Sequence, residues 1–237
     1  MYHKNKILCI VPARKNSVGL KNKNLLKING KPMIYWPINA ALKSKLIDYT
    51  IITTDCPKIR SISNKLGAQT PFLRPKKLAT STSKIYDVII HTINYLTKKN
   101  EIYDYLVLLE PTSPLTKYSD VDGAIKKLIN DNKATSLVSM TQNIISHPVF
   151  NLSLNNNNYI KKYLRKKISI NRQKISKLYY LSGNIYISKI SSYIKLKSFV
   201  QDYTYGFIVN KWKANEIDDM VDYIKTKAIM KFLNKKK

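Results

Sequence analysis

The chain is short of cysteine, acid and arginine. Its two cysteines, Cys9 and Cys56, exclude a disulfide framework. Cys9 falls inside an apolar run and reads as a small core residue. No apolar run approaches the ~18 residues that span a bilayer. Residues Met1 to Lys6 are polar, and the run that follows is too short for a signal-peptide core. A cytoplasmic protein with no membrane partner is therefore expected. Acids number 14 against 42 basic residues, giving a net charge of +28. That balance suggests nucleic acid, but the detail argues otherwise. Five basic residues are arginine (Arg14, Arg60, Arg74, Arg165 and Arg172), and the rest are lysines scattered along the chain. Such scatter resembles a codon bias toward lysine and asparagine rather than a binding stripe. No nucleic-acid partner is expected. The few arginines gain weight, because a planar fork is needed where carboxylate or phosphate is held bidentately.

What is present is a core and an alternation of elements. Hydrophobic residues make up 44% of 237, enough for one domain over 1–237. Ile7 to Val11 reads as a buried strand. Further strands are expected at Tyr49–Thr53, Tyr105–Leu109, Ser136–Met140, Ile185–Ile187 and Tyr205–Val209. Helices are expected at Met33–Ser44, with Pro37 limiting its first half, and at Pro57–Leu66 and Lys84–Lys98. Two more follow at Ser119–Asn130, with Ser119 as cap and Asp120 and Asp122 in the first turn, and at Asp219–Leu233. Repeated βα units imply an α/β fold with a mostly parallel sheet covered on both faces. Between Gln142 and Leu181 the texture changes. The run Asn155–Asn158 is polar, Lys161–Lys167 is basic, and there is no glycine. This stretch reads as an excursion from the sheet, a lid or a dimer arm.

The loop after the first strand is the richest local signal. Arg14, Lys15, Lys21 and Lys23 surround Gly19 at a strand's carboxyl end, where open α/β sheets bind ligands. Such a loop can enclose a polyphosphate. Downstream, Glu216 and Asp218 alternate around Ile217, so both face one way in an extended segment. Paired carboxylates suit a hard cation.

Several motifs then coincide in order: Pro12 to Leu20 with Lys23-Asn24, Asn29-Gly30-Lys31-Pro32, Thr54-Asp55 and Leu73-Arg74-Pro75. Leu109 to Leu115, Arg172-Gln173-Lys174, Gly183 to Ile187 and Glu216-Ile217-Asp218 follow. In this series the whole chain resembles the acylneuraminate cytidylyltransferases, the CMP-sialic acid synthetases. The resemblance implies a three-layer nucleotide-diphospho-sugar transferase fold, Rossmann-like, with a mixed, mostly parallel sheet. It implies a homodimer joined by a small arm at about 142–181. It implies CTP, Mg²⁺ and a nine-carbon 2-keto acid sugar as reaction partners, with pyrophosphate released. Related readings are a synthetase for the eight-carbon 3-deoxy-manno-octulosonic acid and, in another class, a basic nucleic-acid binder.

Carried onto this chain, the resemblance gives Arg14, Lys23 and Asp218 the chemical step. Ala13, Arg14, Asn16, Ser17, Gly19 and Asn24, with Arg74 and Thr82, serve the nucleotide. Glu110, Arg172 and Tyr186 serve the sugar, Arg172 through its carboxylate. Glu216 and Asp218 hold the metal. The chain departs from its relatives at Val18, where many have lysine, and at Ser81, where they usually have aspartate. Glu110 stands for glutamine, Thr116 for arginine, Ser182 for asparagine and Glu216 for aspartate. Glu110 and Thr116 hint at a different sugar. His91 reads as structural, His147 lies in the arm, and no residue stands out as general base.

Overall fold

A computed structural model describes residues 1–17, 19–143, 147–162 and 176–235. The central sheet has six strands. They are β1 (Ile7–Pro12), β4 (Tyr49–Thr53), β5 (Tyr105–Leu108), β6 (Ser136–Asn143), β9 (Leu178–Lys189) and β10 (Thr204–Ile208). Their order is β10-β6-β9-β5-β1-β4. β1 pairs in parallel with β4 and β5, and β10 with β6, whereas β9 runs antiparallel to both neighbours. The sheet is thus mixed and mostly parallel.

Alternation along β1 divides the interior. Ile7, Cys9 and Val11 enter one apolar cluster and Leu8 and Ile10 the other. The first face is covered by α1 (Tyr35–Lys43), α2 (Pro57–Lys65) and α4 (Tyr118–Ile129). The second is covered by α3 (Ile85–Thr97) and α5 (Ile190–Leu196). Three layers result. β1 has to be apolar at every position because both of its faces are buried. Each such aliphatic side chain contributes about 1.5–3 kcal/mol by leaving water. A third cluster joins Ile28, Met33, Leu115, Ile217 and Met230. It docks α6 (Met220–Lys235) and the segment before it beside the first loop. No helix among the described residues is long and apolar enough to cross a membrane.

Several expectations shift in detail. Pro37 falls in the first turn of α1, where its missing N–H costs nothing, and does not kink the helix. The N-cap of α4 is Lys117 rather than Ser119, and its N–H donates to Asp120 Oδ2 at 2.9 Å. Asp122 lies beyond the first turn and accepts from the Ser44 hydroxyl, tying α4 to the end of α1. Asn29-Gly30 is a tight hairpin turn between β2 (Lys27–Ile28) and β3 (Lys31–Pro32), with both residues at positive φ.

The excursion begins as a prolongation of the sheet. β6 runs on to Asn143, and β9 starts at Leu178 rather than Ile185. Thr141 to Asn143 pair with Tyr180 to Leu178 beyond the core. Short β7 (Leu152–Leu154) and β8 (Ile160–Lys162) pair with each other. Leu178 to Leu181, Leu152, Leu154, Tyr159 and Ile160 are exposed, so no alternation marked these residues as strand.

Candidate active site

β1, β4 and β5 are parallel and end along one edge of the sheet, so the loops after Pro12, Thr53 and Leu108 converge. Backbone bonds extend the ladder past the strands. Ala13 N–H donates to Thr53 O at 3.0 Å and Leu109 N–H to Ile10 O at 3.2 Å. Above this edge lies a cleft of about 480 Å³. Cationic groups line one part of it and carboxylates another.

The first loop is held by its own side chains. Asn24 is buried and donates from Nδ2 to the Arg14 carbonyl at 2.9 Å. The Lys15 N–H donates to Asp55 Oδ1 at 2.7 Å. Arg14 and Ser17 are left on the cleft wall, and Arg14 Nη1 donates to Thr80 O at 2.8 Å. Lys23 reaches across to the acidic segment. Its Nζ donates to Ile217 O at 2.9 Å and pairs with Asp218 Oδ1 at 3.1 Å. Gly19 packs so closely that a Cβ there would strike the Asp218 carbonyl oxygen. A side chain at 19 would therefore push the loop off the acids.

Arg74 is buried and forms the floor. Nη2 donates to Thr53 O at 2.8 Å, while Nε has no partner. Burial pulls its pKa down to about 10, Asp55 opposes that, and Arg14 adds to it. The guanidinium keeps its charge at neutral pH, and an unpaired buried donor favours a ligand with acceptors. Leu78, Ile85 and Val88 add an apolar wall beside it.

The carboxylates stand at the far end. Ile217 is buried, and its N–H donates to Thr112 O at 2.9 Å. Glu216 and Asp218 on either side both line the cleft with Glu110. Burial, then Glu216, raises Glu110 to about 7, against a weak bond from the Thr112 hydroxyl at 3.3 Å. Burial and then Asp218 raise Glu216 as well. Negative charge is concentrated here, with Lys23 as its cationic neighbour. No three His, Cys, Asp or Glu side chains among the described residues form a ready-made metal group. Two or three carboxylates sharing a cleft suit a hard cation whose remaining ligands come from a bound phosphate.

The other expected residues are placed as follows. Ala13 is buried with its N–H spent on β4, and Asn16 is exposed off the cleft wall. Thr82 faces an adjoining cavity of about 530 Å³, while its neighbours Thr80, Ser81 and Ser83 line the cleft. The turn closed by the Thr80 N–H to Ser83 Oγ bond, 3.0 Å, sets that direction. Tyr186 lies opposite Leu108 in the sheet, its ring 5.4 Å from that of Phe199. Burial raises its phenol, and Glu110 and Glu216 add to the shift. Thr116 is buried, accepts from Asn184 Nδ2 at 3.0 Å and donates to Ser113 O. His91 packs edge-on against Phe72. His147 accepts from Val149 N–H and bonds Ser176 O, 29 residues on. Arg172 and Val18 lie outside the described residues. Sequence reasoning missed the Lys23–Asp218 pair and the Thr80–Ser83 turn. The Arg14–Thr80 bond ties that turn to the first loop, yet nothing in the local pattern signals it.

A strand-end cleft lined by Arg14, Lys23 and Arg74 and by Glu110, Glu216 and Asp218 suits nucleotide handling in an α/β protein. A family model described as cytidylyltransferase matches residues 8–233, and the chain belongs to that family. Among curated relatives, an N-acylneuraminate cytidylyltransferase of Escherichia coli O18:K1:H7 is 30% identical over 99% of this chain and 54% of its own length. The chain thus spans about half of that relative. A CMP-N,N'-diacetyllegionaminic acid synthase of Legionella pneumophila is 30% identical over 95% of this chain and 96% of its own. A solved CMP:2-keto-3-deoxy-manno-octonic acid synthetase complexed with CTP shares the fold. Its TM-score is 0.69 at 16% identity, covering 95% and 98% of the two chains.

Proposed function

We propose that the protein activates a nonulosonic acid with CTP to give the CMP-sugar and pyrophosphate. The observation that carries this reading is the divided cleft, cationic beside Arg14 and Arg74 and acidic at Glu110, Glu216 and Asp218. It occurs in a chain similar along its whole length to a CMP-N,N'-diacetyllegionaminic acid synthase. In the reaction the anomeric hydroxyl oxygen attacks the α-phosphorus of CTP. The α–β phosphoanhydride bond breaks and pyrophosphate leaves. The protein's work is to position the groups and to neutralise charge. Arg14 and Lys23 face the triphosphate, and Arg74 with Ser17 and Asn24 holds the nucleotide end. Glu216 and Asp218 would hold Mg²⁺, which supplies Lewis-acid neutralisation of the phosphates. Glu110, Tyr186 and Arg172 serve the sugar.

The arm is read as a dimerisation and acceptor-selecting element. Its exposed Leu178, Tyr179, Tyr180 and Leu181 are apolar surface that a second copy would cover. Leu181→Asp is expected to shift the protein to monomer in analytical ultracentrifugation; an unchanged sedimentation coefficient would remove the arm from the interface. The reaction is placed in the cytoplasm, where the free, buried Cys9 and Cys56 stay reduced.

The test is incubation with CTP, Mg²⁺ and neuraminic, legionaminic, pseudaminic or 3-deoxy-manno-octulosonic acid, with products read by mass spectrometry. A CMP-linked nine-carbon acid is expected. Turnover of the eight-carbon acid alone would favour the related reading. Binding of CTP with no turnover of any acid would contradict both.

A further inference from the structure

Gly183 lies where β9 departs from regular pairing with β6. Val138 faces Tyr186, and two residues on Met140 faces Leu181. The intervening residues of β9 bulge, and Gly183 takes φ +64°. Its carbonyl accepts a bond from Ser113 Oγ at 3.0 Å, which fixes the bulge to the loop after β5. From the other side, the Ile217 N–H bond to Thr112 O brings the acidic segment onto that same loop. Glu216 is thereby folded over the bulge. A Cβ on Gly183 would coincide with the Glu216 carboxylate and lie 2.8 Å from its Cγ. The obstructing atoms are the end of a flexible side chain, so a methyl at 183 would move the carboxylate rather than the backbone.

We propose that Gly183 is a positioning residue. Its bare Cα is the socket in which the Glu216 carboxylate is seated toward the cleft. The inference rests on the reading of Glu216 and Asp218 as the cation-binding acids. Gly183 itself does not line the cleft; it decides where one of the two acids stands. Sites that orient metal-binding groups are worth about 10- to 100-fold in affinity.

The test is calorimetric titration of CTP, without acceptor, into the protein in Mg²⁺ and again in EDTA. The ratio of the two affinities is the metal-linked gain. Gly183→Ala should cut that gain about 10-fold while CTP affinity in EDTA stays within about twofold of the parent. Glu216→Ala should do the same. In a Glu216→Ala background, which removes the carboxylate and the Cγ that the methyl would meet, Gly183→Ala should change the remaining gain by less than about twofold. Asparagine tolerates positive φ better than alanine, so Gly183→Asn repeats the experiment at a lower backbone cost should the alanine variant fail to fold. An unchanged gain in both position-183 variants would overturn the socket. So would an equal further loss in the Glu216→Ala background, which would mark a general distortion. If Glu216→Ala keeps the full gain, the cation assignment of Glu216 falls first, and the socket falls with it.

Discussion

At the carboxyl ends of β1, β4 and β5, several polar side chains have partners inside the molecule. Asn24 holds Arg14, Asp55 holds the Lys15 backbone, Arg74 holds Thr53, and Lys23 holds Asp218 and Ile217. The arm beyond β6 is built the opposite way. Its described residues form a two-stranded prolongation whose leucines and tyrosines face outward, and a short hairpin. One region is preorganised by the three-layer core beneath it. The other leaves apolar side chains exposed among its described residues. The difference fits a division of labour in which nucleotide and phosphates, the same in every turnover, are handled on rigid strand ends. In the reading proposed above, the arm joins Glu110 and Tyr186 in selecting the acceptor sugar, which distinguishes one relative from another.

Breaking the rigid side should have the largest effect. Asp218→Asn leaves the fold intact, because Asp218 is exposed and Ile217 carries the packing. It should lower Mg²⁺-dependent kcat roughly 100- to 1,000-fold, the scale for losing one group that stabilises transition-state charge. Full activity at limiting Mg²⁺ would remove Asp218 from the metal site.

Glu110 sharpens the comparison through pH. Its carboxyl titrates about 7 in the folded protein against an ordinary 4.5. The folded state therefore holds that proton more tightly than the unfolded chain. Stability falls as pH rises from 4.5 to 7, and the full penalty persists above 7. Glu110→Gln removes it. Without metal or nucleotide, the variant should exceed the parent by at most roughly 3 kcal/mol above pH 7, with the gap closing below pH 4.5. Denaturant midpoints across that range check this; a gap independent of pH would dissociate the effect from Glu110 ionisation.

On the acceptor side, Arg172→Ala should remove one charge-assisted pair with the sugar carboxylate. That loss is about 10- to 150-fold in sugar KM, with CTP binding retained. An unchanged sugar KM would end that role.

How much was legible follows the same boundary. Ile7 to Val11 and Tyr105 to Leu109 announced themselves because burial on both faces demands unbroken apolar sequence. Glu216 and Asp218 were legible because Ile217 alternates between them. The Lys23–Asp218 pair joins residues 195 apart, and tertiary packing, including the third apolar cluster, brings them together. Gly183 showed nothing in sequence of its relation to Glu216, since that contact depends on a bulge and on a segment from another part of the chain. In the arm, Tyr179 to Leu181 lie in a strand without a buried face, so periodicity had nothing to report.

The division of labour is tested most directly by exchanging the arm. Residues 142–181 would be replaced by the corresponding segment of the Legionella relative, and KM measured for CTP and for each acid. The account predicts a changed order of preference among the acids with the CTP KM within about twofold of the parent. A folded chimera with the parent's acid preference and an altered CTP KM would contradict it.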